Sequence, residues 1–223
     1  MRTMNTTAGM IGGLGMMLAL CAGPASGADA PAGEAPENFG DPAWYSLGRG
    51  GVWETVSSNE VRQTEHAEPW KNNGFNRASD QGGVMEYEFG IHLLAGYMGA
   101  GIYVLADATN GVDRGTSYLL WFSEPKEGAP EFSLAKFIKD KRQDWAPKTR
   151  LPGKRGDWVT LRVRIDTATG TFVVHCNGKE AAQFKDESPI RTGNHVSLHT
   201  CLCAVAYRDL RIRQVAAKRG GQP

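Results

Sequence analysis

The segment Gly156–Ile190 constrains this chain more than any other. It reads GDWVTLRVRIDTATGTFVVHCNGKEAAQFKDESPI. Val159–Ile165 alternates apolar and polar residues at period two, the mark of a strand with one buried face. Asp166–Gly170 supplies turn chemistry, and Thr171–Cys176 is a second strand pattern. Asn177-Gly178 is a strong two-residue hairpin signal, after which Lys179–Phe184 returns. An antiparallel meander of this kind buries its apolar face only when a second sheet covers it.

The rest of the chain supplies that second sheet. Short strand patterns recur at Val52–Val56, Val61–Thr64, Gly83–Leu94, Ala100–Ala106, Thr116–Phe122, His195–Leu202 and Val205–Arg213, and Ser133–Lys139 reads as a strand or a helical turn. In Gly83–Leu94, Met85, Tyr87, Phe89 and Ile91 share one face, while Val84, Glu86, Glu88 and His92 share the other. Gly96–Gly99 and Thr192–Asn194 read as turns, Glu65–Gln81 as a long polar loop, and Lys139–Gly156 as a charged surface excursion. With almost no helical periodicity, the pattern predicts an all-β, two-sheet antiparallel β-sandwich.

Arg2, an apolar run from Met10 to Ala22 and the small residues Ala25 and Gly27 predict a secretory signal peptide over 1–27, cleaved after Gly27. The run is short for a membrane span of about 20 residues, and Leu20 is a poor fit before a lipidated Cys21. The chain is therefore expected to be exported, periplasmic or extracellular, with no membrane span after cleavage. Residues 28–43 read as a linker, 44–213 as the folded domain and 214–223 as a tail. The 25 Lys and Arg face 24 Asp and Glu, and Arg2 leaves with the signal. This balance lacks the basic excess expected of a nucleic-acid partner. Cys176, Cys201 and Cys203 then remain. One disulfide from Cys176 to Cys201 or Cys203, or three buried thiols, both fit the sequence.

Trp53-Glu54-Thr55-Val56 with Glu60-Val61, Gly101–Ala106, Tyr118–Phe122, and the series Asp157-Trp158, Asn177-Gly178, His195–His199 and Tyr207–Ile212 together resemble a concanavalin A-like jelly roll. The branch most similar is the bacterial 3-keto-disaccharide hydrolase family, with laminin-G-like sugar-binding domains as relatives. The resemblance covers roughly Trp44 to Arg213 and implies carbohydrate as the partner. It departs where the family carries polar residues. The family's arginine falls at Leu105, its glutamate at Leu119, and its two glutamines at Trp121 and His199. A face changed in this way stacks on a sugar more readily than it cleaves one.

Two readings of function follow: a carbohydrate-binding module, or a glycoside hydrolase of the 3-keto-disaccharide type. For hydrolysis, which uses two carboxyl groups flanking the bond, the acid–base candidates are Glu86 and Glu88, with His92 and His199. Two residues of strand rise place such carboxyls about 6.5–7 Å apart. For sugar binding the candidates are Trp121 as stacking platform, Ser197 beside His199, and Trp70 with Phe75 at a loop rim. Asp107, Asn110 and Asp113 form an oxygen-rich loop of the type that holds calcium or simply makes Asx turns. No other cofactor is implied, because no phosphate-binding glycine loop, nucleophile elbow or zinc-protease helix motif occurs.

Overall fold

The computed structural model describes residues 35–46, 52–64, 74–107, 115–143 and 146–215, with the side chain of Tyr97 left aside. Among them there is no helix. The strands, in order, are β1 (Tyr45–Ser46), β2 (Trp53–Ser57), β3 (Glu60–Gln63), β4 (Phe75–Gly82), β5 (Val84–Ala106), β6 (Ser117–Ser123), β7 (Glu131–Ile138), β8 (Lys141–Gln143), β9 (Thr149–Arg150), β10 (Val159–Asp166), β11 (Thr171–Cys176), β12 (Lys179–Lys185) and β13 (Thr192–Val215).

The meander forms as its sequence predicts. In β10, Val159, Leu161, Val163 and Ile165 are fully buried, and their neighbours face outward. The Asp166 Oδ1 accepts the backbone N–H groups of Ala168 and Thr169 at 2.9 and 3.1 Å, closing the first turn. Asn177 and Gly178 take φ of 49° and 80°, as a type I′ hairpin requires.

Two departures shape the molecule. The turn expected at Gly96–Gly99 does not reverse the chain, and Gly83–Leu94 and Ala100–Ala106 are one continuous strand, β5. Likewise the turn at Thr192–Asn194 is the start of β13, which also runs through the junction between His195–Leu202 and Val205–Arg213. These two strands pair antiparallel along most of their length, with register shifts at Cys201/Cys203, Ala204/Val205 and Arg208/Arg211. Gly96 at φ 105° and Leu202 at φ 50° sit where the pair bends. Bulges and left-handed residues turn a strand pair without breaking it.

The bend makes a sandwich from a curled sheet. The first half of β5 is flanked by β10 and the second half of β13. The second half of β5 is flanked by β6 and the first half of β13, with β7 and β4 beyond them. Tyr87, Phe89 and Ile91 from one half meet Ile102, Val104, Tyr118 and Leu120 from the other in one buried core.

The long loop expected over Glu65–Gln81 ends in a strand instead. β4 is polar in sequence, but Asn76 and Gln81 are buried and hydrogen-bonded. Gln81 Nε2 donates to the His195 carbonyl at 2.7 Å, and its Oε1 accepts from Tyr87 Oη at 2.5 Å and from the Leu105 N–H at 2.9 Å. Phe75, expected at a loop rim, is in the core. It stacks on Trp44 and Trp53 with ring centroids 5.2 and 5.6 Å apart. Phe39, inside the segment read as linker, packs edge-on against Trp44 at 5.2 Å. Cys176, Cys201 and Cys203 are buried thiols, so the disulfide alternative is not the one adopted.

Candidate functional site: a hollowed sheet face

The outer face of β4, β13, β5, β6 and β7 carries side chains in aligned rows. Pairing places Asn76, Ser197, Tyr103, Leu119 and Ala135 in one row across the five strands. The next row is His199, Gly101, Trp121 and Ser133. Strand parity puts Leu120 in the core and Trp121 on this face, the alternation that the sequence predicts.

Glycine hollows the centre. Gly101 lies between His199 and Trp121, so no side chain fills the gap between their rings, whose centroids are 6.4 Å apart at 47°. A Cβ at Gly101 would come 2.1 Å from the Leu120 carbonyl oxygen. Gly99, at φ 151°, would press a Cβ to 2.9 Å from the Trp121 indole. Tyr103 sets its ring edge-on to His199 at 5.2 Å and walls one side. On the core side, Tyr207 Oη lies 2.8 Å from the Gly101 carbonyl and 2.7 Å from that of His199, tying the two strands together behind the hollow.

The result is a cleft of about 300 Å³ lined by Met98, Leu119, Trp121, Ser123, Ser133, Arg142, Lys148 and His199. Its floor is aromatic and its edges carry hydroxyls and two cations. His199, 4% exposed, shapes the floor and shows little surface, while Ser197, 9% exposed, lies in the neighbouring row of the same face and does not line the cleft.

Of the residues singled out from sequence, the structure brings Trp121, His199 and Ser197 to this face. Trp70 lies outside the described residues, as do Asn110 and Asp113. Asp107 is exposed, and its Oδ1 accepts the Thr116 N–H at 2.6 Å. Among the described residues no group of three His, Cys, Asp or Glu is placed to hold a metal ion.

Glu86, Glu88 and His92 are elsewhere, on the first half of β5. Glu86 faces Arg164 and Arg213 on its neighbouring strands, and Glu88 faces Arg162 and Arg211. Arg213 Nη2 donates to Glu86 Oε1 at 2.7 Å and Glu88 Oε2 at 3.3 Å, and Arg211 Nη1 to Glu88 Oε1 at 3.1 Å. The pair with catalytic spacing is therefore the middle rung of a cross-strand charge ladder. His92 packs against Trp158 at 5.2 Å, and Arg208 stacks over the same indole at 4.1 Å. Burial, then the charges of Arg62 and Arg208, hold the His92 pKa below its ordinary value. An NMR titration of His92 is expected to show a midpoint below about 6.5 that rises in Arg208→Gln. A midpoint above that value would contradict this environment.

Arg142, Lys148, Ser123, Ser133 and the two glycines were not singled out from sequence. Ser133 sits opposite Trp121 only through the strand pairing, which the sequence does not carry. The cations are hidden inside a segment whose charge reads as ordinary surface.

No family model matches the chain, and no curated protein matches it. Solved structures do. A carbohydrate-binding module, CBM66 from Bacillus subtilis, aligns with a TM-score of 0.58 at 11% identity, over 77% of this chain and 96% of that one. This chain has a lectin-like β-sandwich fold. A Bacillus subtilis protein of unknown function with a galectin-like fold gives 0.57 at 12% identity, over 77% of this chain and 89% of that one. A legume lectin-like domain from Entamoeba histolytica gives 0.51 at 13% identity, over 75% and 89%. These likenesses show the fold without showing the 3-keto-disaccharide hydrolase family.

Proposed function

We propose that this chain is an exported carbohydrate-binding β-sandwich module that holds a sugar in the cleft over Gly101. The observation that carries this reading is the half-buried Trp121 indole beside a glycine-floored gap opposite His199. An aromatic face next to a slot free of side chains accepts the apolar face of a pyranose or furanose ring. The sugar-binding module and the lectin-like domain among its structural neighbours support the same class of ligand. Binding is favoured over hydrolysis for a chemical reason. Glycoside cleavage uses two carboxyl groups beside the bond, whereas the described residues that line the cleft include none, and Glu86 and Glu88 are engaged by Arg211 and Arg213.

The test is a glycan screen on the protein lacking residues 1–27, scoring both binding and product release. A bound sugar without turnover is expected, and Trp121→Ala should weaken that binding by about tenfold, the equivalent of about 1.4 kcal/mol. Release of product, or binding indifferent to Trp121, would end this reading.

A further inference from the structure

We propose that Met98, Cys201 and His199 form a site for one copper(I) ion, set into the same sheet face beside Trp121. Its basis is a contact between two sulfurs. The Cys201 thiol donates toward the Met98 thioether, with Sγ and Sδ 3.7 Å apart. Two sulfur ligands about 2.3 Å from one ion, at a tetrahedral to trigonal angle, stand about 3.8–4.0 Å apart. The pair therefore already has the separation of two ligands sharing an ion, and the thiol proton occupies the place the metal would take. Thiolate and thioether are soft, polarisable donors that select copper(I), and imidazole also suits copper. Loading exchanges the Cys201 proton, released to solvent, for Cu⁺, with no change of oxidation state.

Strand geometry brings in the third ligand. His199 and Cys201 are two residues apart on β13, in unbroken register with Gly101 and Gly99 of β5. They therefore point to one face, about 6.5–7 Å apart along the strand, a span that an imidazole and a thiolate bridge through one ion. Thr200 between them turns the other way, its hydroxyl donating to the Cys203 carbonyl at 2.6 Å. Met98 and His199 line the cleft together. Gly101 and Gly99 add no side chain to the space in front of Trp121, where a Cβ at Gly99 would meet the indole at 2.9 Å. Cys201 is fully buried and Met98 half-buried, so an ion enters from the cleft past the thioether. Cys203 takes no part. Beyond the register shift its Sγ lies in the core, 2.8 Å from the Gly99 carbonyl.

The test is an anaerobic titration with copper(I) against the chromophoric chelator bicinchoninate, using the protein lacking residues 1–27, a truncation that leaves β1–β13 whole. One copper(I) per chain is expected, and X-ray absorption at the copper edge should show two sulfurs at about 2.3 Å and one imidazole nitrogen. Met98→Leu, on a half-buried position, should reduce the sulfur count to one and weaken binding tenfold or more. Cys201→Ser should abolish stoichiometric uptake, and His199→Gln should remove the imidazole signal. Cys203→Ser should leave both uptake and spectrum unchanged. No uptake from the chelator, copper held by fewer than two sulfurs, a Met98→Leu protein that binds like the parent, or a loss in Cys203→Ser equal to that in Cys201→Ser would overturn the proposal. The sulfur count in the parent and in Met98→Leu decides even where a cysteine variant fails to fold. No glycan enters this test, so its outcome is independent of the sugar-binding reading.

Discussion

Replacing Lys136 with methionine is expected to lower the stability of the fold by about 3–5 kcal/mol, the usual cost of stranding one member of a buried ion pair. Lys136 points into the core from β7. Its Nζ lies 2.8 Å from Asp186 Oδ2, and the two side chains are only 7% and 10% exposed. The ammonium also donates to the Ser188 carbonyl. Tyr118 Oη donates to the same Asp186 oxygen at 2.5 Å and accepts the Ile190 N–H at 3.0 Å. The Ser188 N–H reaches Asp186 Oδ1 at 2.9 Å. With the lysine gone, a carboxylate remains deep in the protein with neutral donors alone. Lys136→Met/Asp186→Asn should regain a large part of the loss, because no charge is then left without its partner. Urea denaturation of the three proteins decides the matter. A Lys136→Met protein within about 1 kcal/mol of the parent would show that the pair contributes little.

The same network gives a pH dependence with a definite sign. Burial pushes the Asp186 pKa up, but the hydrogen bonds from Lys136, Tyr118 and the Ser188 N–H outweigh it and leave the carboxyl below its ordinary value. The unfolded chain therefore takes up this proton first as pH falls. Stability from Asp186 is fully present above about pH 3.9, the ordinary carboxyl value, and is lost as pH drops through the lower folded value.

Gly101→Ala is expected to cost about 3 kcal/mol, at the upper end for a forced small-to-large change, and to weaken sugar binding as well. The new methyl would stand 2.1 Å from a backbone oxygen of β6, which has no rotamer to escape into. Relief requires β5 and β6 to shift apart at the Gly101–Trp121 pair. Retreat toward the core is opposed by Tyr207, whose hydroxyl lies against the Gly101 and His199 carbonyls. Trp121 is thus displaced from the gap it borders. Denaturation and sugar titration on one preparation should show both losses. Unchanged stability with normal binding would mean that the hollow does not depend on this glycine.

Alternation of apolar and polar residues was enough to read β10, β11 and β12, their turns, and the all-β class. It also placed Trp121 and Leu119 on one face and Leu120 on the other, because side-chain direction in a strand depends only on parity. Parity fails where a strand is polar and still buried. β4 was hidden because Asn76 and Gln81 meet hydrogen-bond partners distant in sequence, and Phe75 looked like a loop residue until Trp44 and Trp53 closed on it. Turn chemistry fails at Gly96–Gly99, where the same glycine signal that reverses a hairpin instead bends β5 while β13 stays paired to it.

What the residues determined alone was local: strand, turn, and which side chains share a face. Tertiary structure decided which faces meet. It separated Glu86 and Glu88 from His199 by bending one strand between two layers, and it carried Arg142 and Lys148 across to Trp121. Charge and spacing along a chain do not say which strands become neighbours, because that depends on burying one core from both halves of β5 and β13 at once.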